Sequence, residues 1–260
     1  MMVDCGNTQQ FNPVDFLIAK NFLSHNSSAG KHILSTLTLT NYDHDHFSGL
    51  PYLRSKVKIS NVKFPKNLTS AEVKKIKPVV TDALTHVTDI MDTYTADVTD
   101  YNPPFTKHCY YLEKSDFPDT AVDTNKLSQL VFITYNGTRI CIPGDLTSPA
   151  WEKHLLNKNV QILLGGTDIL VAPHHGREDG YNEKIFEHCK PECIILSDTY
   201  IKHDTQQGMT QLYASKTKGD GIMFNGSSQN LRKTLTTRSD GHLWIRIQDN
   251  QSRIYRSFTI

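Results

Sequence analysis

No stretch of this sequence stays apolar for anything near the length of a membrane span, so no transmembrane anchor is expected. A charged and apolar leader of the secretory type is also missing ahead of the first strand pattern. Charge of one sign is absent too. With a formal net charge of +1, no global field draws the chain onto nucleic acid or a lipid surface. That excludes a protein dedicated to coating DNA, but not an enzyme that holds a few phosphates locally. Cysteine is scarce and odd in number: Cys5, Cys109, Cys141, Cys189 and Cys193 are scattered, which fits reduced thiols in the cytoplasm better than a disulfide framework. Repeats, low-complexity tracts and linkers are lacking, so a single domain over residues 1–260 is expected. Its 38% hydrophobic and 21% charged residues are ordinary for a soluble globular enzyme.

What is present centres on one stretch. Ile33 to Thr40 is a β-branched, apolar run that reads as a buried strand. Directly after it come Asp43, His44, Asp45 and His46, then Gly49. Carboxylates and imidazoles at the mouth of a buried strand would cost several kcal/mol if desolvated and unpaired. A divalent metal ion balances that charge, since carboxylate oxygen and imidazole nitrogen both ligate zinc or manganese. The plainer alternative is a solvated polar loop.

The rest of the chain alternates strand and helix signals. Asn12 caps a helix with Pro13 in its first turn and an apolar face of Phe16, Leu17, Ala19 and Phe22. Val57 to Ile59 is a short strand. Residues 61–107 form a helical insertion: Thr69 and Glu72 make a capping-box pattern, apolar positions recur from Val73 to Met91, and Pro78 kinks or splits the helix. It serves either as a lid or substrate wall, or as an outer layer over a sheet; His86 on it reads as a surface histidine. Strands are expected at Cys109–Leu112, and at Leu130–Tyr135 and Thr138–Ile142 as a hairpin around Asn136-Gly137. A helix from Ser148 to Leu156, a strand Ile169–Ala172, a helix Asn182–Cys189 and a strand Cys193–Leu196 follow. The end of the chain carries a helix over Thr210–Lys216 and strands at Gly221–Phe224, Leu243–Gln248 and Arg253–Phe258. The class is α/β.

Three strand ends therefore carry ligand chemistry. Asp43, Asp45 and His46 follow the first; Asp145 follows the second; His174 and His175 follow the third. In open α/β sheets the ligand site lies off the carboxyl ends of the strands. These residue types suit a pair of divalent ions that activate water for phosphoester or other ester hydrolysis. Taken singly, each has a plain alternative: Asp145 as a cap of the Ser148 helix, the histidine pair as a turn.

Motif by motif, the sequence resembles the metallo-β-lactamase fold, and within it the hydrolase domain of ComEC-like competence proteins and their free-standing relatives. The family's D-x-G strand end is Val3-Asp4-Cys5-Gly6 here. Its T-H-x-D-x-D-H-x-G-G-L motif is Thr40-Asn41-Tyr42-Asp43-His44-Asp45-His46-Phe47-Ser48-Gly49-Leu50. Asn125-Lys126-Leu127-Ser128, Pro143-Gly144-Asp145, Ala172-Pro173-His174-His175-Gly176, Pro191 to Ser197 and Asp240 to Ile245 match the later motifs in order, over nearly the whole chain.

The resemblance implies a four-layer αββα sandwich with a helical insertion and a metal site at one sheet edge. It implies that Asp45, His46 and His174 hold one Zn2+ or Mn2+ ion, that Asp43 helps hold a second, and that Asp145 bridges them. His175 or His203 would protonate the leaving group or orient the substrate. Hydrolysis of a phosphodiester in nucleic acid or a nucleotide is the implied reaction. A carboxylic ester, lactone or phosphorylcholine ester is the rival substrate, and a degenerate, non-catalytic subunit bound to a partner protein or in a homo-oligomer is the rival role. Arg232, Lys233 and Arg238 lie in a Gly/Ser/Asn-rich stretch suited either to phosphate contact or to a solvated surface. Three departures stand out. Asn41 replaces the first motif histidine, which leaves one metal position weak, empty or completed differently. The segment Ile201-Lys202-His203-Asp204 keeps only the histidine of its family counterpart. The chain starts at what is usually the second or third strand, so one sheet is expected to lack an edge hairpin.

Overall fold

The structure, a computed structural model, describes residues 1–8, 11–27, 30–77, 79–96, 102–118, 121–198, 208–225, 227–248 and 251–256. It is α/β, with parallel and mixed sheets, and the chain divides into two compact units: Met1–Asn102 with Glu113–Gln129, and Pro103–Leu112 with Leu130–Ile260.

The first unit holds β1 (Met2–Val3), β2 (Ser24–Asn26), β3 (Lys31–Leu34), β4 (Leu37–Thr38), β5 (Val57–Ile59) and β6 (Val62–Lys63). They form two three-stranded sheets, β1-β4-β6, wholly parallel, and β2-β3-β5. Ile33 to Thr40 is thus not one strand. It bends at Ser35-Thr36, where Leu34 still pairs with Ile59 and Leu37 with Val62. The partner breaks at the matching point, Ser60-Asn61, and the ladder carries on through Ser60 N–H to the Leu34 carbonyl and Leu37 N–H to the Asn61 carbonyl. Because Leu34, Thr36, Leu37 and Thr38 are all buried, the alternation that would mark such a bend in the sequence is erased.

Among the described residues, five α-helices accompany these strands: α1 (Pro13–Ala19), α2 (His44–Phe47), α3 (Leu50–Lys56), α4 (Ser70–Ile76) and α5 (Asp82–Thr93). Asn12 caps α1 through the Val14 N–H, and the Thr69/Glu72 capping box is complete at α4. The insertion is split, as the proline demands, although Pro78 itself lies outside the described residues. Val73, Leu84, Val87 and Ile90 from its two helices join Leu37, Leu39, Leu50 and Leu53 in one core, each burial stabilising the unit by about 1.5–3 kcal/mol. Helices α4 and α5 are therefore an integral part of this core, whereas the ends of the expected insertion are strand: Val62–Lys63 is β6, and a further strand begins at Thr106 in the second unit. His86 is half-buried, with Nδ1 on Arg54 at 3.1 Å.

The second unit runs β7 (Thr106–Tyr110), β8 (Leu130–Tyr135), β9 (Thr138–Ile142), β10 (Ile169–Val171), β11 (Cys193–Leu196), β12 (Ile222–Phe224), β13 (Ser227–Arg232), β14 (Thr234–Thr236), β15 (Leu243–Gln248) and β16 (Gln251–Arg256). A six-stranded sheet is ordered β14-β11-β10-β9-β8-β7, antiparallel at the β7-β8-β9 end and parallel from β9 to β14. Asn136 (φ 47) and Gly137 (φ 75) turn the β8-β9 hairpin with both central residues left-handed, the geometry that Asn-Gly favours. A four-stranded sheet is ordered β13-β12-β16-β15. Its helices are α6 (Ser148–His154), α7 (Lys158–Gly165), α8 (Ile185–His188), α9 (Met209–Ala214) and α10 (Thr237–Asp240). The helix read over Asn182–Cys189 shrinks to α8, because Asn182 turns its amide onto Ser148. Helix α7 and strands β13 and β14 are additions to the elements expected from the sequence, although Asn157 caps α7 and Val160, Leu163 and Leu164 form its buried face. Among the described residues no helix is long and apolar enough to cross a membrane.

Candidate functional site

In the first unit the site residues sit where β4 ends. Asp4, in the left-handed region (φ 55), accepts the Thr40 N–H at 2.7 Å, the Thr40 hydroxyl at 2.6 Å and Nδ1 of His46 at 2.9 Å. That bond favours the tautomer of buried His46 that carries the proton on Nδ1 and the ligand-type lone pair on Nε2, itself a buried atom. Asp4 was legible only as a strand-end Asp two residues before a glycine; its role as the carboxylate that orients His46 appears in the fold alone. The backbone holds this loop closely as well. Cys5 N–H meets the His46 carbonyl at 2.8 Å, and Gly49 N–H meets the Cys5 carbonyl at 2.9 Å. A Cβ at Gly6 would strike the Asp45 carbonyl, and one at Gly49 would strike that of Cys5. Asp45 is exposed.

Asp43 begins α2, with Lys77 in an ion pair on its carboxylate and the Thr124 hydroxyl donating to it at 2.9 Å. Asn41, only 1% exposed, donates from Nδ2 to Asn125 Oδ1 at 2.8 Å and accepts the Tyr42 N–H at 2.5 Å.

In the second unit the site residues follow β9, β10 and β11. Asp145 is buried just past β9. The N-cap of α6 is Thr147, so Asp145 does not occupy the capping position. After β10 the chain turns through His174 (φ 47), His175 (φ 56) and Gly176 (φ 77), all left-handed. Each non-glycine residue held this way costs about 1–2 kcal/mol, and such strain persists only where surrounding bonds impose it. His174 N–H bonds the Gly144 carbonyl at 3.1 Å. The His174 ring is buried, with Nδ1 on Asp179 at 2.8 Å and Nε2 accepting from Arg177 at 2.9 Å, so both nitrogens are engaged by protein. His175 donates Nδ1–H to the Ser197 carbonyl at 2.8 Å and brings Nε2 to 3.6 Å from Asp145 Oδ1.

Asp198, after β11, is buried and pairs with Arg238 at 2.7 Å. Burial pushes its carboxyl above the ordinary range, against the opposing pull of the Arg238 guanidinium. Arg232 likewise pairs with Asp240. Two of the three basic residues read as phosphate contacts thus have carboxylate partners. Asp179, Arg177 and Asp198 were not anticipated, and His203 lies outside the described residues.

Ligand-type side chains that could hold a metal ion are Asp45 and His46 in the first unit and Asp145 and His175 in the second. Each pair joins a carboxylate to an imidazole, ligand types suited to zinc or manganese, and both imidazoles have the Nδ1 anchor typical of metal-bound histidine. Within the second unit His175 is the histidine that faces Asp145, where the sequence motif pointed to His174 as a ligand. Four of the cysteines are held as protonated thiols by burial. All five cysteines are free thiols; burial pushes Cys189 and Cys193 up to about 12 and raises Cys5 and Cys141 further. No family model and no curated protein matches this chain.

Proposed function

We propose that this chain is a metal-dependent hydrolase, most simply a phosphodiesterase acting on nucleic acid or a nucleotide in the cytoplasm. In this reading the chain has the metallo-β-lactamase-like αββα fold, and Asp45, His46, Asp145 and His175 are the candidate ligands for zinc or manganese. One observation carries the reading. Two histidines from distant parts of the chain each fix Nδ1 on a protein oxygen, Asp4 in one case and the Ser197 carbonyl in the other, and so offer Nε2 to a ligand. The motif order in the sequence supports it.

A bound metal ion would supply Lewis acidity and an activated water. The protein's own groups do the rest. Asp145 and His175 hold their separation through the strained turn after β10. Exposed Asp45 accepts the proton of the attacking water. His203 returns a proton to the leaving oxygen. A carboxylic ester or lactone hydrolase would use the same donors, so the substrate must be found by assay. Metal analysis of the purified protein, followed by bis-p-nitrophenyl phosphate, single- and double-stranded DNA, a cyclic dinucleotide and a lactone, tests the proposal. Bound zinc or manganese with phosphodiester turnover is expected. A protein that binds neither metal and cleaves none of these substrates would end it.

A further inference from the structure

We infer that the Lys77 ammonium takes the place of a second metal ion beside Asp43, so that the chain holds one divalent cation and not two. The inference rests on the metal reading above and lies wholly within the first unit. Asp43 is the carboxylate the sequence motif offers to a second ion, yet its negative charge already has a cation. Lys77 and Asp43 form an ion pair, Lys77 Nζ also reaches Thr124 Oγ1 at 3.0 Å, and that hydroxyl donates to Asp43 at 2.9 Å, which closes a three-membered ring of contacts.

The ammonium is delivered by a fixed element. Lys77 is the C-cap of α4, and its N–H bonds the Val73 carbonyl at 2.9 Å. One step along, Asn41 and Asn125 join their carboxamides, so the segments 41–43 and 124–125 are held by two rungs, one neutral and one charged. An amide oxygen is a weak zinc ligand, and here those of Asn41 and Asn125 accept hydrogen bonds from Tyr42 and Asn41. A divalent ion placed at Asp43 would also meet the repulsion of an ammonium already seated there. Asn41 and Lys77 therefore belong together: the residue that fails as a ligand and the residue that supplies the missing positive charge.

Metal content per folded chain, measured by mass spectrometry after dialysis against excess manganese and then metal-free buffer, tests this. Wild type should retain one ion. Lys77→Glu replaces the fixed cation with a carboxylate facing Asp43 and should raise the content to two. Asp43→Asn with Lys77→Met removes both charges together and should leave it at one. Lys77→Arg keeps the cation and, should the double variant fail to fold by circular dichroism, serves as its replacement, again at one. Two ions on wild type, no gain in Lys77→Glu, or loss of the ion from the folded double variant would each overturn the inference. No ion on wild type would instead remove the metal reading on which it stands.

Discussion

The two loops that carry the candidate ligands differ in how far their backbones are strained. The loop after β4 has no left-handed residue from 41 to 49 and is held by backbone bonds at Cys5 and Gly49 together with side chains: Asp4 on Thr40 and His46, Asn125 on Asn41, Lys77 and Thr124 on Asp43. The turn after β10 has side-chain bonds too, from His174 to Asp179 and Arg177 and from His175 to the Ser197 carbonyl, but its two successive histidines are left-handed, and the first is tied by its N–H to the Gly144 carbonyl. A side-chain network can be dismantled one partner at a time with graded losses. A left-handed turn adds a backbone cost that its partners must offset, so losing one of them also releases strain.

The comparison can be sharpened by experiment. Replacing Asp145 with Asn removes the carboxylate that faces His175 while keeping its shape. Phosphodiester turnover should fall by roughly a hundredfold or more, with thermal stability of the chelated protein unchanged; normal turnover would remove Asp145 from the mechanism. Asp4→Asn leaves every ligand in place but loses the anchor of His46. Metal affinity, read by competition with a chromogenic chelator, should weaken by about 10–100-fold. His174→Ala, in the left-handed turn, should cost about 1–2 kcal/mol in denaturant melts and leave metal content intact. Loss of the ion in that variant would restore His174 as a ligand.

The smallest effect concerns the first loop alone, through the helix that brings Lys77 to it. The hydrogen bond from Lys114, followed by those from Thr69, holds the Glu72 carboxyl down at about 2. A depressed carboxyl contributes stability that is present above its ordinary value and is lost as pH falls toward 2. Amide exchange in α4 should therefore quicken over that acid range. The Glu72→Gln variant should lack this dependence, while exchange around β10 should follow the same course in both proteins.

Much of the architecture was legible in the sequence, and the exceptions follow a rule. Asn12, Thr69 with Glu72, and Asn136-Gly137 announced their caps and turn because the interaction involved is local. The bend at Ser35-Thr36 did not, since its cause is the matching break in a neighbouring strand. In the candidate site, Asp45, His46 and Asp145 could be picked out by residue type and position. The choice of His175 over His174 could not. Both are histidines in one turn, and only the partners Asp179, Arg177 and Ser197, brought by the fold, tell them apart. Lys77 was hidden for the same reason: a lysine at the end of a helix is ordinary until the fold sets it against Asp43.

The close passage of Cys5-Gly6 against the Asp45–His46 backbone bears on how a mutational scan of this protein should be interpreted. Alanine, the smallest replacement, would collide with backbone at Gly6 and again at Gly49, and neither carbonyl in the way can swing aside as a side chain would. Both positions would score as severely as the residues proposed to hold an ion, although neither has a side chain with which to touch a ligand. In such a map the loudest signals would trace the mould as well as the site it shapes, and only metal affinity measured beside activity would separate them.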